Sequence, residues 1–493
     1  MLTHVVRRSF TSCLIRRSLS TISSQSSSPS PPPPIRICVV GSGPAGFYLT
    51  QNLLKLHQSL PVTIDILEKA PVPFGLVRYG VAPDHPEVKN VIHTFTKIAE
   101  HEHVRFIGNI HIGHTVRLQE LQQFYHIIIL AYGSSVERTL NIPGETSLEN
   151  VFSAKDFVGW YNGVPENAQL RPKLDGTDCA VIIGMGNVAL DCARILLSPI
   201  DDLAKTDITD QALDILRQSR IRHVILVGRR GPMQVSFTIK ELRELTKLNG
   251  VQSMLKKEDF QQIDQNMIDK LERPRKRLTE LMLKTVRTNQ TKDHAERFWY
   301  LKFWRRPRRI NGKTMVESVD FEYTEPVDRQ QFANENLFVK ENGTIETVPC
   351  GLVIKSIGYY GVQIDPWLPF DKERGIILNH QNRIDDRPGF YCTGWIGRGA
   401  RGVIVETTTE SHTVAKRIMD DIEQGRLQNL HDVKSGGDGL ISLAKSRQVR
   451  CISYDDWKKL DAHETKLGLS KGKPREKILN IDKMLELTSN SNS

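Results

Sequence analysis

A chain of 493 residues, 39% hydrophobic and 25% charged, is long enough for more than one domain and ordinary in composition for a folded protein. Its formal net charge of +10 favours acidic partners, and no apolar run approaches the ~18 residues of a helical membrane span; peripheral contact with a bilayer stays open. Seven cysteines (Cys13, Cys38, Cys179, Cys192, Cys350, Cys392, Cys451) form no CxxC pair and no zinc-ligand spacing. That argues against a bound metal, a disulfide scaffold and a dithiol redox centre.

Residues 1–34 read as an address and a linker rather than a fold. They carry Arg7, Arg8, Arg16, Arg17 and many serines, and the first acidic residue of the whole chain is Asp65. Acid-free, Arg- and Ser-rich segments of this kind read as organelle transit peptides, here with a mitochondrial character, and Ser26 to Pro34 form the linker.

The first predicted element is the apolar strand Ile35 to Val40, followed by Gly41-Ser42-Gly43-Pro44-Ala45-Gly46 and a helical stretch. A strand, a glycine turn and a helix N-terminus in this order bind a pyrophosphate, because glycines let it approach the unpaired N–H groups. The next strand, Val62 to Leu67, delivers Glu68, an acid placed for ribose hydroxyls, which suits FAD or NAD. A strand over His126 to Ala131 closes the first segment before Tyr132-Gly133-Ser134.

A second loop, Gly184-Met185-Gly186-Asn187-Val188-Ala189, follows the strand Ala180 to Ile183. Its partner strand, Val224 to Val227, ends in Gly228-Arg229-Arg230 instead of an acid, and two guanidinium forks suit the 2′-phosphate of NADP. The distance from Gly184 to Arg229 exceeds the usual ~20 residues, which predicts an insertion over Ser198 to Arg222. A second strand and glycine exit, Gly351 to Gly358, mirrors the one at Gly133. These exits predict an α/β fold of two nested Rossmann-like domains: an FAD domain over 35–134 and 360–493, interrupted by an NADP domain over 135–359.

Several motifs are more specific than glycine loops. Val72-Pro73-Phe74-Gly75-Leu76-Val77-Arg78-Tyr79-Gly80 through Pro86, Gly186 to Asp191, Val227 to Gln234 with Phe237 to Glu244, Phe157 to Gly163, and Cys392-Thr393-Gly394-Trp395 together closely resemble the adrenodoxin reductase family from Ile35 to about Leu487. The resemblance implies a glutathione-reductase-like flavoprotein architecture. It also implies hydride transfer from NADPH to FAD and single-electron delivery to an acidic, adrenodoxin-like [2Fe-2S] ferredoxin in the mitochondrial matrix. A monomer, peripheral to the inner membrane at most, is expected.

Carried over by motif, Gly41, Gly43, Ala45, Gly46, Glu68, Leu76, Ile112, Trp395, Gly402, Val403 and Ile404 are expected at FAD. Gly184, Met185, Gly186, Asn187, Val188, Arg229, Arg230, Glu241 and again Gly402 are expected at NADP. His85 and Asp191 match positions lining the flavin site, where a proton-handling role is chemically reasonable. The plainer alternative is that Asp191 pairs with Arg194 and His85 braces a proline-rich loop. Arg243, Arg273, Arg275, Lys276 and Arg277 are expected to steer the acidic partner. A second basic run, Arg305 to Arg309, has no assigned role, and no nucleic-acid module accompanies either run.

The chain departs from the family at Gly399-Ala400-Arg401-Gly402 and at Glu406, which places the nicotinamide affinity and flavin potential in question. Two rival readings stay open at this level: an FAD-dependent NADPH reductase of a small acceptor such as a quinone, and a non-catalytic NADP-responsive flavoprotein.

Overall fold

The computed structural model describes residues 33–56, 61–288, 295–402, 404–428 and 430–489. The leader expected over residues 1–34 therefore lies almost wholly outside the described residues, as do Cys13 and Val403.

Two parallel-centred sheets organise the chain. The first has seven strands, in the order Asn379–His380, Arg383–Ile384, Phe390–Cys392, Ile127–Leu130, Ile35–Val40, Val62–Leu67, Val104–Ile107. Its central strands read as near-continuous apolar runs because both faces are covered. Along Ile35–Val40 the side chains alternate: Ile35, Ile37 and Val39 join one buried cluster, and Cys38 and Val40 join another on the opposite face. The strand Phe390–Cys392 pairs in parallel with Ile127–Leu130, so the returning C-terminal part of the chain completes the sheet begun at Ile35. The returning helix Ile404–Glu423 packs on the first helix, Pro44–Leu56.

The second sheet has six strands, in the order Val151–Ser153, Leu352–Lys355, Cys179–Ile183, His223–Val227, Arg297–Lys302, Val251–Ser253. The same alternation holds, with Ala180 and Ile182 facing one cluster and Val181 and Ile183 the other. In sequence, the strands of this sheet, the inner lobe, fall between the two parts of the chain that build the first sheet, the outer lobe. At the crossing, Val136–Glu137 and Tyr359–Tyr360 pair as a short antiparallel ribbon, so both hinge segments run side by side.

The predicted insertion carries two short helices, Ile200–Leu203 and Asp210–Arg217. It ties the lobes together through Asp207, whose carboxylate accepts from Lys89 Nζ at 2.6 and 2.8 Å and pairs with Lys477 Nζ at 2.9 Å. Despite its burial, these two ammonium groups hold Asp207 far below the carboxylate range, Lys477 exerting the larger pull. Burial pushes Lys477 itself down to about 7.

A separate three-stranded antiparallel sheet, Arg305–Gly312, Val316–Pro326 and Val339–Pro349, holds the second basic run. Arg305 pairs with Glu346 and lies over the Tyr323 ring, Arg306 pairs with Glu341, and Arg308 sits 3.0 Å from Glu322. Most of the run is thereby neutralised by acids on the neighbouring strands.

Candidate functional site

The first glycine loop is shaped by the chain around it and open where a ligand would lie. Gly41 has φ +113°, and a Cβ there would stand 2.6 Å from the Ala131 carbonyl oxygen; a Cβ on Gly46 would collide with the Gly41 carbonyl oxygen. Gly43 differs, because a Cβ there meets nothing within 4 Å. Its open side lies at the N-terminus of helix Pro44–Leu56, where unpaired N–H groups favour an anion. Glu68 stands at the end of its strand and accepts from the Ser42 N–H at 3.1 Å, the Ser42 hydroxyl at 2.7 Å and the Ala70 N–H at 3.1 Å.

Other parts of the chain converge on this loop. A Cβ on Gly75 would lie 3.2 Å from Gly43 Cα, and one on Gly394 would lie 2.8 Å from Ala45 Cβ. Leu76 is 48% exposed while Phe74, Val77 and Arg78 around it are buried, an apolar surface left uncovered next to the loop. Ile112 is buried in one cluster with Ile110, Val116 and Leu118, so its side chain serves the core. Trp395 stacks on Tyr359 of the hinge ribbon at 6.3 Å between centroids, and its Nε1 donates to the Arg401 carbonyl at 3.1 Å. Gly402 has φ +79°, and the Glu406 carboxylate fills the space a Cβ would need there. Ile404 opens the helix that follows, and Arg401 is exposed with no ion pair among the described residues.

The second loop repeats the logic. Gly184 has φ +135° and abuts the Ser356 carbonyl oxygen, whereas a Cβ on Gly186 meets nothing within 4 Å. The Met185 carbonyl accepts from the Ser236 and Phe237 N–H groups at 2.7 and 3.1 Å, and Asn187 Oδ1 accepts from the Thr238 N–H at 2.7 Å. Val188 packs against the inner-lobe core. Arg229 is exposed at the end of its strand, and Arg230 is half-buried beside it, donating to the Glu335 carbonyl at 2.6 Å. Burial and the nearby guanidinium groups of Arg229 and Arg275 pull Arg230 below its ordinary value.

Between the two loops sits a cluster of titratable groups. His85, Asp191 and Glu241 bring ligand atoms within 4.8 Å of one another, and His85 Nε2 lies 2.8 Å from Glu244 Oε2. Arg194, 2% exposed, binds Asp191 Oδ1 at 2.7 Å, both Asp84 oxygens and, more loosely, Glu241 Oε2 at 3.4 Å. Burial raises Asp191 above its ordinary value, and burial with the charge of Asp191 pushes Glu241 up to about 7. Asp84, half-buried, is held low by Arg194 against the effect of its burial.

Glu241 thus stands with the titratable cluster as well as beside the second loop. Glu244 and Asp84 were missed by sequence reasoning. Glu244 was findable, since it lies three residues after Glu241 on one face of helix Ile239–Lys247.

The raised Glu241 gives a pH prediction. Between its unfolded value of 4.5 and the folded value of about 7, the folded state binds the extra proton, so this group costs stability as pH rises through that window and above it. Glu241→Gln is expected to gain about 1–2 kcal/mol at pH 8 and nothing at pH 4. Urea unfolding at both pH values checks this.

The basic residues separate by orientation. Arg273 and Arg277 are exposed on helix Arg273–Arg287, which packs on helix Ile239–Lys247, the helix that carries Arg243. Lys276 pairs with Asp269 at 2.7 Å. Arg275 instead turns away, toward Glu335 at 3.0 Å and the Val235 carbonyl.

Comparisons with known proteins agree with this geometry. The pyridine nucleotide-disulphide oxidoreductase family profile matches residues 35–276. The chain is 48% identical to the mitochondrial NADPH:adrenodoxin oxidoreductases of Bos taurus and Homo sapiens, over 92% of this chain and 92% and 91% of theirs. It is 38% identical to the NADPH-ferredoxin reductase FprA of Mycobacterium tuberculosis, over 92% of this chain and 99% of that protein. The structure of Mycobacterium tuberculosis FprA in complex with NADPH superposes with a TM-score of 0.86 at 36% identity, covering 93% of this chain and all of that one. Despite the family's disulphide title, every described cysteine is free. With both dinucleotide loops, the paired arginines and these relatives in agreement over nearly the whole length, the chain belongs to the mitochondrial NADPH:adrenodoxin oxidoreductase family.

Proposed function

We propose that the outer lobe holds FAD, that the inner lobe holds NADPH, and that the protein passes electrons from NADPH to an adrenodoxin-type [2Fe-2S] ferredoxin in mitochondria. The observation that carries this reading is the pairing of two loops, each open at its middle glycine, with opposite strand ends: Glu68 after one, Arg229 and Arg230 after the other. FAD, when bound, supplies the conversion from a two-electron donor to a one-electron acceptor.

The chain's own residues bind, orient and shield. Glu68 accepts from ribose hydroxyls, while Arg229 and Arg230 bind the 2′-phosphate and select NADPH over NADH. Trp395 and Tyr359, stacked where the returning segment meets the hinge, wall the junction of the lobes and exclude water. His85, hydrogen-bonded to Glu244, and Asp191, held by Arg194, form a reservoir at which one proton is stored or released as the redox state changes. Arg243, Arg273 and Arg277 present positive charge on two adjacent helices and steer an acidic partner.

The test is cytochrome c reduction by the purified protein with NADPH, with and without an acidic mitochondrial [2Fe-2S] ferredoxin. The rate is expected to rise many-fold with ferredoxin and to collapse between low and high salt. Arg273→Glu with Arg277→Glu is expected to lower the ferredoxin-dependent rate at low salt by roughly 100-fold, since like-charge juxtaposition costs several kcal/mol, while NADPH still bleaches the flavin. If ferredoxin makes no difference but NADPH bleaches the flavin, the acceptor is a small molecule such as a quinone.

A further inference from the structure

The connection between the strands Val316–Pro326 and Val339–Pro349 is strapped over the arginine end of the second dinucleotide loop. Buried Gln234 donates to the carbonyls of Phe332 and Asn334 at 2.6 and 3.1 Å, and the buried Phe332 ring lies 5.7 Å from that of Trp304. Arg230 Nη1 donates to the Glu335 carbonyl at 2.6 Å, which fixes the Glu335 backbone beside the 2′-phosphate pair.

The Glu335 side chain then meets a third arginine. Arg275 Nε and Nη2 both donate to Glu335 Oε1, at 3.2 and 3.0 Å, and Arg275 Nη1 donates to the Val235 carbonyl. Arg275 is thus drawn from the basic run toward Arg230, while Arg273 and Arg277 stay exposed. Arg275 pairs with the Glu335 carboxylate, Arg230 binds the Glu335 backbone and Arg229 adjoins Arg230 in sequence, so three guanidinium groups share this corner with one carboxylate, which is 67% exposed. Three cations serving one exposed monoanion fit a dianion better, and an exposed pair of this kind is weak enough to exchange.

We infer that Arg275 is a third arm of the 2′-phosphate clamp, and that the Glu335 carboxylate holds its place until a 2′-phosphorylated nucleotide displaces it. This rests on the reading of Arg229 and Arg230 as the clamp, and it moves Arg275 from partner docking to nucleotide selection. Glu335 acts as a competing internal anion. It keeps three like charges together in the free protein and lowers the affinity for any ligand that must replace it.

The experiment is calorimetric titration of the FAD-loaded full chain with 2′,5′-ADP and with 5′-AMP. Arg275→Gln is expected to weaken 2′,5′-ADP roughly tenfold, the low end for a hydrogen bond to a charged group, and to leave 5′-AMP unchanged. Arg275→Lys, which keeps the charge without the fork, is expected to fall between. Glu335→Gln is expected to tighten 2′,5′-ADP about two- to threefold, the scale of an exposed ion pair. An effect of opposite sign from Glu335 separates competition from mere loss of the strap.

Unchanged 2′,5′-ADP affinity in Arg275→Gln, or an equal loss for 5′-AMP, overturns the inference, as does weaker ferredoxin binding with nucleotide binding intact. Arg229→Gln is the control for the underlying reading. If it leaves the preference for 2′,5′-ADP over 5′-AMP in place, the clamp is elsewhere and both readings fall. If it abolishes the preference while Arg275→Gln does not touch it, only the inference falls.

Discussion

Glu464→Ala is expected to destabilise the folded protein by about 3–5 kcal/mol, the cost of leaving a buried charge without its partner. Glu464 is fully buried, and Arg78 is 4% exposed. Arg78 Nη2 donates to both Glu464 oxygens at 2.6 and 2.8 Å, Arg475 Nη1 donates at 3.0 Å, and the Ile478 N–H donates at 3.0 Å. The guanidinium also lies 5.0 Å over the Trp457 ring. Removing the carboxylate strands Arg78 in a space water cannot reach.

The sign with pH follows from Glu464 itself. Burial works to raise it, but Arg78 wins and holds it below its ordinary 4.5. The stabilisation is therefore complete above the unfolded value and is lost as pH falls through the folded one. The gap between wild type and Glu464→Ala in urea unfolding should be full at pH 7 and shrink in acid. A double variant, Arg78→Met with Glu464→Leu, should recover much of the loss, because apolar packing replaces buried pairs at little cost. Equal stability of wild type and Glu464→Ala at pH 7 would contradict this account. Arg78 stands two residues after Leu76 of the Phe74-Gly75-Leu76 turn, so the single variant should also bind flavin more weakly.

That pair marks the boundary of what the sequence discloses. Arg78 stands out only as part of a family motif, and its partner is 386 residues away, where no local pattern points to it. The glycine loops are legible because a pyrophosphate demands glycines within one short turn, so the chemistry and the spacing coincide. The strand ends, Glu68 and Arg229-Arg230, are legible for the same reason. The insertion at Ser198 to Arg222 is visible as excess length, but its function as an interlobe tether depends on Asp207 meeting Lys89 and Lys477 from distant segments.

The basic runs show the opposite failure, since charge can be counted in a sequence but its direction cannot. Arg305 to Arg309 reads as a bare patch, yet it lies on a strand whose neighbours supply Glu322, Glu341 and Glu346. Arg275 is indistinguishable from Arg273 and Arg277 by composition. Its helix phase and the Glu335 loop, 60 residues on, give it a different task.

Gly43→Val and Gly186→Val are expected to remove one dinucleotide each while leaving the fold intact. Side chains at Gly41, Gly46 and Gly184 would collide with the backbone at Ala131, Gly41 and Ser356, so substitutions there disrupt the turns themselves. Gly43 and Gly186 carry no such constraint: neither needs a positive φ, and a Cβ at either meets nothing of the chain within 4 Å. On the proposed reading the space beside them takes the ligand, and a branched side chain fills it. Overpacking at that point costs about 3 kcal/mol at its upper end, or about a hundredfold in affinity. Gly43→Val should therefore purify folded by circular dichroism but without yellow flavin. Gly186→Val should keep its flavin and lose NADPH-dependent bleaching by about a hundredfold at limiting NADPH, while dithionite still reduces it. The two variants separate the loops by ligand, and the opposite pattern of losses would reverse the assignment of FAD to the outer lobe and NADPH to the inner one.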